Sequence, residues 1–354
     1  MVARPLEEYQ RKRDFSATPE PRGAAPDAAG SGRFVIQQHS ATRLHWDLRL
    51  EHEGVLLSWA LPRGLPWDPG RNHLAVHTED HPIEYLDFEG DIPDGEYGAG
   101  NMFVWDAGTY AAEKIEDAKV VFTLSGRRRA EGTYALFRTR GRDWMIHRMT
   151  PAVDPERRHL PDGFAVVQPV PGARPRRGTT TWALETRWRG LRTVLTSSGG
   201  IVELELPDGG GRVTDRFPEV RPLGRAVGYT EIAVDGIVTA PPGDETRLSR
   251  RLAAASDTTH RRLARDAPIT FVAVDLLWQD GHPLTDQPWE ARREALEALR
   301  LEGQAWTTPS AYTGDPTPML EAAGKSGVTQ LVAKRVDSPY DPKQDPPPWR
   351  IVTL

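Results

Sequence analysis

A short stretch between residues 39 and 51, HSATRLHWDLRLE, places histidine, aspartate and arginine at close spacing. From residue 44 onward apolar and polar residues alternate, which predicts a strand with His45, Asp47 and Arg49 on one face. Together with His39 from the adjoining turn, two imidazoles and a carboxylate suit a divalent cation such as manganese, iron or zinc. Arg49 is then placed to bind a phosphate oxygen beside that metal. An ordinary solvated strand face is the alternative interpretation.

Two further signals follow this stretch. The sequence HLAVHTEDHPIEY supplies His73, His77, His81 and Tyr85, and GDIPDGEYGAG is typical of tight turns around a site. The spacing of His73 and His77 favours a structural or surface role, and His52 is interpreted as solvated. The glycine-rich sequence alone does not indicate a phosphate-binding P-loop, because it does not join a strand to a helix.

The amino-acid composition excludes several classes of active site and binding mode. The 354 residues include no cysteine, which excludes disulfides, thiolate zinc sites, iron–sulfur clusters and cysteine nucleophiles. The net charge is −5 and neither half is polybasic, so nucleic-acid binding must depend on a local patch. No apolar run is long enough to span a membrane and no signal peptide is recognisable, so we expect a cytoplasmic protein without a membrane partner.

The elements that must position these residues divide the chain into four parts. Residues 1–32 predict a short helix or arm at 6–13 followed by a flexible linker. Residues 33–150 contain many short β-type runs between turn signals, which predict one antiparallel sandwich or barrel. Residues 151–180 are interpreted as a second linker, rich in proline and arginine. Residues 181–354 mix strands such as ITFVAVDLLW with helical stretches such as DQPWEARREALEALRLE, which predicts an α+β domain.

The first domain resembles the 3′-phosphoesterase module of the bacterial multifunctional end-joining ligase D family. The similarity lies in LEEYQRKRDFSATPEP, RFVIQQHSATRLHWDLRLE, GVLLSWALPRG, EDHPIEYLDFEGDIPDGEYGAG and ALFRTRGRDWMIHRM. The resemblance implies a small β-barrel that binds manganese, or another divalent cation, through His39, His45 and Asp47. It also implies catalytic or phosphate-contacting roles for Arg49, His81, Tyr85, Arg13, Asp14 and Glu20.

The second domain resembles the adenylation (nucleotidyltransferase-type) domain of the same family. TWALETRWRGLR lies where that family has its nucleotidyl-lysine motif, and three residues match, namely Glu185, Gly190 and Arg192. Arg187 occupies the lysine position and Arg189 the aspartate position, while Lys334 matches a later motif. We expect this domain to lack the family's C-terminal OB barrel, since the sequence ends at WRIVTL. A guanidinium does not lose its proton in proteins, so we predict a degenerate domain without ligase activity.

These features lead to one main functional hypothesis and two alternatives. The main hypothesis is a metal-dependent DNA 3′-end-healing phosphoesterase, which removes a 3′-terminal ribonucleotide or 3′-phosphate. The alternatives are an ATP-dependent DNA ligase of the end-joining family and a non-catalytic module that binds DNA ends or a protein partner. The resemblance implies DNA 3′ ends as the substrate, and it makes Ku and a separate ligase or polymerase candidate partners.

Overall fold

The chain forms two compact units, Met1–Pro155 and Glu156–Leu354. The structure is a computed structural model, and it describes residues 6–23, 32–41, 44–93, 95–127, 129–152, 154, 156–176, 181–228, 230–241 and 246–354. Among the helices of these residues, none has the length and apolar character needed to cross a membrane.

The first unit consists of one short helix and nine strands within its described residues. Helix α1 (Glu7–Arg11) precedes β1 (Arg33–Ser40), β2 (Leu44–His52), β3 (Val55–Leu61), β4 (His73–His77), β5 (Gly90–Ile92), β6 (Gly100–Glu116), β7 (Lys119–Gly126), β8 (Glu131–Arg140) and β9 (Asp143–Arg148). A 3₁₀ helix, Ile83–Asp87, lies between β4 and β5.

These strands close into an antiparallel barrel. Neighbouring strands follow the order β1-β2-β3-β4-β9-β8-β7-β6, and β6 pairs back with β1, while β5 is added at the beginning of β6. The long strand β6 makes closure possible, since its first part pairs with β1 and its second part with β7. The small β-barrel predicted for this domain is confirmed.

The N-terminal arm packs on the barrel. Tyr9 of α1 is fully buried in a cluster with Val35, Leu56 and Tyr85. Its hydroxyl donates a hydrogen bond to the carbonyl of Pro21 at 2.6 Å, which folds the arm back on itself. The predicted linker between this arm and β1 lies mostly outside the described residues.

The second unit combines two sheets with short helices. Its strands are β10 (Val170–Pro171), β11 (Trp182–Thr186), β12 (Leu191–Ser198), β13 (Ile201–Glu205), β14 (Ile232–Thr239), β15 (Thr270–Gln279), β16 (His282–Pro283), β17 (Trp306–Thr307), β18 (Gln330–Arg335) and β19 (Trp349–Thr353). Its helices are α2 (Leu223–Val227), α3 (Thr246–Ala253), α4 (Asp257–Asp266), α5 (Trp289–Ala298) and α6 (Pro316–Lys325). One sheet has the order β10-β19-β18-β11, and the other has the order β13-β12-β14-β15-β16 with β17 beside β15. The predicted α+β domain is confirmed.

Part of the segment interpreted as a linker, 151–180, is packed into the second unit. Val166 and Val167 are buried in a cluster with Tyr340 and Trp349. The backbone N–H of Val167 donates to the Tyr340 hydroxyl at 3.1 Å, and β10 pairs in parallel with β19. The linker interpretation is therefore wrong for this stretch, because two adjacent valines within a proline-rich sequence fill the core.

We predict that Val167→Ala lowers the free energy of unfolding of the second unit by about 2 kcal/mol, since two buried methyl groups are lost and a cavity remains. Val170→Ala is the matched control, because Val170 is 36% exposed in the same segment. Urea unfolding of the full chain, followed by tryptophan fluorescence, measures both. Equal midpoints for the two variants would show that the segment does not stabilise this unit.

Candidate active site

The β1–β2 hairpin brings three metal-binding side chains together. His39 and His45 are register partners across the hairpin, and their rings lie 4.7 Å apart between centroids. Asp47 follows on the same face of β2, with one carboxylate oxygen 3.5 Å from His39 Nδ1 and the other 3.6 Å from His45 Nε2. One ligand atom from each residue lies within 4.8 Å of the others, so the predicted trio forms a single cluster.

His39 is oriented by the glycine-rich sequence that precedes β6. Its Nε2 lies 2.8 Å from the carbonyl oxygen of Gly98. A carbonyl only accepts, so Nε2 donates this hydrogen bond, and Nδ1 is the ring nitrogen that faces Asp47. Gly98 has a φ of +81°, a conformation that favours glycine. The glycine-rich sequence therefore has a defined contact with the cluster.

The donor set fits a divalent cation. It consists of two imidazole nitrogens and a carboxylate, which is the combination that manganese, iron and zinc accept. Burial of Asp47 opposes its ionisation, but the charge of Arg49 and the two imidazoles outweigh burial and lower the pKa of the carboxyl. Asp47 is therefore a carboxylate before any cation binds.

Arg49 is held on the same face by three neighbours. Its guanidinium donates from Nε to Gln37 Oε1 at 2.7 Å, from Nη1 to Ser58 Oγ at 3.0 Å and from Nη2 to Asp47 Oδ2 at 3.0 Å. The ring of Tyr85 covers it, with the guanidinium carbon 4.7 Å from the ring centroid. Three of its five N–H donors are used within the described residues, which leaves two for a ligand.

The polar face of β2 is buried, contrary to the alternative of a solvated strand. Asp47, Arg49 and Glu51 are 6%, 2% and 2% exposed. Glu51 is paired with Arg33, whose Nη2 lies 2.6 Å from its carboxylate. A buried charge is retained only when it is paired, so this face is a built polar site.

The arm contributes a second group of charges beside Arg49. Arg13 Nε donates to Glu20 Oε1 at 2.6 Å, and the Tyr85 hydroxyl donates to the same oxygen. Arg13 Nη1 also donates to Glu79 at 3.0 Å. Burial and the adjacent Glu20 raise the pKa of Tyr85, although Arg49 opposes this effect, so its hydroxyl keeps its proton. The structure thus joins three predicted site residues, Arg13, Glu20 and Tyr85.

His81 is buried between the arm and the barrel. Its Nδ1 lies 2.8 Å from the carbonyl oxygen of Glu79, and its Nε2 lies 3.3 Å from Arg13 Nη2. A carbonyl accepts and a guanidinium donates, so the two contacts together require a neutral imidazole. Burial, with the nearby charges of Arg49 and Arg13, lowers the pKa of His81 well below its usual value.

Asp14 differs from the other predicted site residues. It is exposed, and its carboxylate accepts from the backbone N–H and the hydroxyl of Ser16 at 2.9 and 2.6 Å. These hydrogen bonds lower the pKa of Asp14. The structure places Asp14 in the turn that connects Arg13 with Glu20, outside the buried network.

Three polar residues of the site were not singled out from the sequence, namely Gln37, Ser58 and Glu79. Gln37 is the register partner of Asp47, and Ser58 is the register partner of Arg49. Ser58 has a sequence signal, since it is a polar residue within the otherwise apolar strand β3, whereas Gln37 and Glu79 have none. His73 and His77 have packing roles, since a ring nitrogen of His73 lies 2.9 Å from the Gly64 carbonyl oxygen and the ring of His77 lies near Trp59 and Trp144.

The second unit has a cavity of about 340 Å³ beside β11. Lys334, which is 1% exposed in its side chain, lies at this cavity with its Nζ 2.8 Å from Glu185 and 2.8 Å from the Val274 carbonyl. Its Nζ also lies 4.2 Å from the centre of the Trp349 ring. Lys334 is thus held as a paired cation at the wall of the cavity.

The two arginines that replace lysine and aspartate also line this cavity. Arg187 donates to the side-chain oxygen of Gln330 on β18, and Arg189 is exposed. Arg192 forms a two-point ion pair with Asp235, whose carboxylate also accepts from Tyr340 at 2.7 Å. Two of the three matching residues of the motif, Glu185 and Arg192, are therefore held by ion pairs within this unit.

Comparison with known proteins gives a family match within the first unit, and it shows that nearly the whole chain is similar to a part of larger proteins. Residues 37–138 match the family described as the DNA Ligase D 3′-phosphoesterase domain. The multifunctional non-homologous end joining protein LigD of Mycolicibacterium smegmatis is 36% identical over 361 residues, covering 98% of this chain and 45% of that protein. The protein of the same name from Pseudomonas aeruginosa is 34% identical over 397 residues, covering 96% of this chain and 46% of that protein.

Among solved structures, a mycobacterial DNA ligase D complexed with ATP and MES is similar, with a TM-score of 0.44 and 26% identity over 53% of this chain and 60% of that chain. The chain spans about half the length of the LigD proteins that it matches. Residues 37–138 are a 3′-phosphoesterase domain of the ligase D family, and nearly the whole chain is similar to a part of the LigD proteins.

Proposed function

We propose that the first unit is a metal-dependent phosphoesterase that heals DNA 3′ ends by removing a terminal ribonucleotide or phosphate. The observation that carries this proposal is the cluster of His39, His45 and Asp47 with Arg49 bonded directly to Asp47. A cation site and a partly unused guanidinium lie side by side, which is what a phosphoester needs for neutralisation of its charge. The match to the 3′-phosphoesterase family supports the same reaction class.

Each residue has a separate part in this reaction. His39, His45 and Asp47 would hold the cation, which when bound supplies Lewis-acid polarisation of a phosphoryl oxygen. The two remaining N–H donors of Arg49 would bind another phosphoryl oxygen, while Asp47, Gln37 and Ser58 fix the plane of the guanidinium.

His81 and the arm complete the phosphate site. Proton donation from Nε2 of His81 would need the protonated imidazole, which burial and Arg13 oppose. We therefore favour stabilisation of the transition state over general-acid catalysis. In this role Arg13 supplies the positive charge, and His81 orients the guanidinium of Arg13. Glu20 and Tyr85 position Arg13 and Arg49, and Asp14 supports the turn between Arg13 and Glu20.

For the second unit we propose that it does not form the ligase adenylate. The nucleophile of that reaction is an amine that can lose a proton, and Arg187 carries a guanidinium that cannot. Lys334 does not substitute, since it is buried as a paired cation against Glu185 and the Val274 carbonyl. A separate ligase would then seal the DNA ends. The names of the relatives place them in non-homologous end joining, and we propose the same process for this chain.

The proposed function is tested with duplex DNA that ends in a single 3′ ribonucleotide or in a 3′-phosphate. We expect the full chain to shorten or dephosphorylate these ends when manganese is present and to leave them unchanged in EDTA. Gel analysis of labelled strands measures both products. DNA binding without release under any divalent cation would instead support the non-catalytic alternative.

We predict that His45→Ala and Asp47→Ala each abolish manganese binding and hydrolysis, because two ligands cannot complete the site. His52→Ala is the matched control, since His52 ends the same strand beside Glu53 and belongs to no described metal cluster. Calorimetric titration with manganese and the end-release assay give independent readouts. Full activity in either site variant would remove that residue from the set of ligands.

We predict that Arg49→Lys lowers the rate about 100-fold or more while manganese binding persists, as expected when an oriented donor to the phosphoryl group is lost. An ammonium has three donors, so it cannot serve Gln37, Ser58, Asp47 and a phosphate together. Arg33→Lys is the control, because the Arg33 side chain is exposed although it pairs with the buried Glu51. Near-normal turnover of Arg49→Lys would contradict a phosphate-binding fork.

We predict no transfer of AMP to the protein and no sealing of nicked DNA, with magnesium or manganese. Incubation with radiolabelled ATP, followed by denaturing electrophoresis, detects the covalent adduct. The same experiment tests the alternative of an ATP-dependent DNA ligase. A labelled band that disappears in Arg187→Ala would establish adenylate transfer through this position.

A further inference from the structure

The turn between β7 and β8 is fastened to the barrel by a buried carboxylate. Asp106, on β6, is 2% exposed and accepts hydrogen bonds from the backbone N–H groups of Arg127, Arg129 and Ala130 at 3.1, 2.7 and 2.7 Å. A Cβ on Gly126 would lie only 2.4 Å from Asp106 Oδ2, so the turn can approach this closely only with glycine there. A buried charge is thus used to fix the backbone of a surface turn.

This fixed turn presents arginine side chains to solvent. Arg127 and Arg129 are both exposed, and the backbone N–H of Arg127 is also bonded to the Ala107 carbonyl at 3.1 Å. The guanidinium of Arg129 lies 5.5 Å from the ring centre of Trp105, which restricts its orientation. Because the backbone N–H groups of Arg127 and Arg129 are already hydrogen-bonded to Asp106, binding of an anionic ligand to these two residues would cost less conformational entropy.

The turn opens at the same end of the barrel as the metal-binding cluster. Connections between antiparallel neighbours alternate between the two ends, and both the β1–β2 and the β7–β8 connections lie at one end. His39 is opposite Met102 on β6, and the turn is bonded to Ala107 on the same strand. Five strand residues separate these points, a distance of about 17 Å.

We propose that Arg127 and Arg129 bind the sugar–phosphate backbone of the duplex part of the substrate, about five base pairs from the 3′ end held at the cluster. Successive phosphates of one strand are about 3.4 Å apart along the helix axis, so the strand distance corresponds to this number of steps. Two guanidinium groups held at a fixed distance from the cluster are suited to the phosphates of duplex DNA, which is stiff, and contacts to phosphates do not depend on base sequence. The inference rests on the proposed function and adds a surface that recognises the duplex.

The test compares R127A/R129A with R138A/R140A. Arg138 and Arg140 are also exposed, and they lie on β8, the strand that follows the β7–β8 turn. They are close to the β8–β9 connection, which is at the other end of the barrel. Fluorescence anisotropy in EDTA measures affinity for a 12-base-pair duplex across a salt series. Hydrolysis of a 3′-phosphorylated dinucleotide in manganese, which is too short to reach the turn, measures the reaction centre alone.

We expect R127A/R129A to bind the duplex at least about tenfold more weakly, since each charged hydrogen bond contributes measurably. The slope of log affinity against log salt should become shallower by about two, one for each phosphate contact. Dinucleotide hydrolysis should stay unchanged, and R138A/R140A should match the wild type. Unchanged duplex affinity and slope in R127A/R129A would overturn the inference. Failure of the wild type to release phosphate from a 3′-phosphorylated duplex in manganese would instead contradict the proposed function.

Discussion

The carboxylate of Asp47 is the group on which the first unit depends. It lies buried between two imidazoles and a guanidinium, and a buried charge of this kind is unfavourable unless its partners are fixed. Arg49 compensates it, and Gln37 and Ser58 hold Arg49 in turn. The same contacts that make this buried polar face of β2 electrostatically acceptable therefore build the cation and phosphate positions.

The arm extends this principle beyond the barrel. Arg13 is paired with Glu20 and Glu79, and Lys12 also pairs with Glu79 at 3.0 Å. Removal of Arg13 would leave the buried carboxylate of Glu20 without its cationic partner, which typically destabilises a protein by several kcal/mol. The arm is thus part of the site, because it carries the charges that surround His81 and Tyr85.

The sequence predicts those parts of the site that lie along one strand. Alternation along β2 places Asp47 and Arg49 on one face. His39, expected from the adjoining turn, lies instead on β1 as the register partner of His45. Gln37 and Ser58 depend on register between strands, which a single sequence does not show. The packing of Val167 was missed because its neighbours Pro169 and Pro171 indicate a loop, whereas the tertiary contact with Tyr340 decides its position. The partner of Arg187 is Gln330, more than 140 residues away, and no local pattern links them.

Anomalous diffraction at the manganese edge, from crystals grown with that ion, tests the central claim most directly. The account predicts one strong peak in the first unit, in contact with His39, His45 and Asp47 together. A manganese peak bound elsewhere in this unit, with these three side chains still paired only to one another, would contradict it.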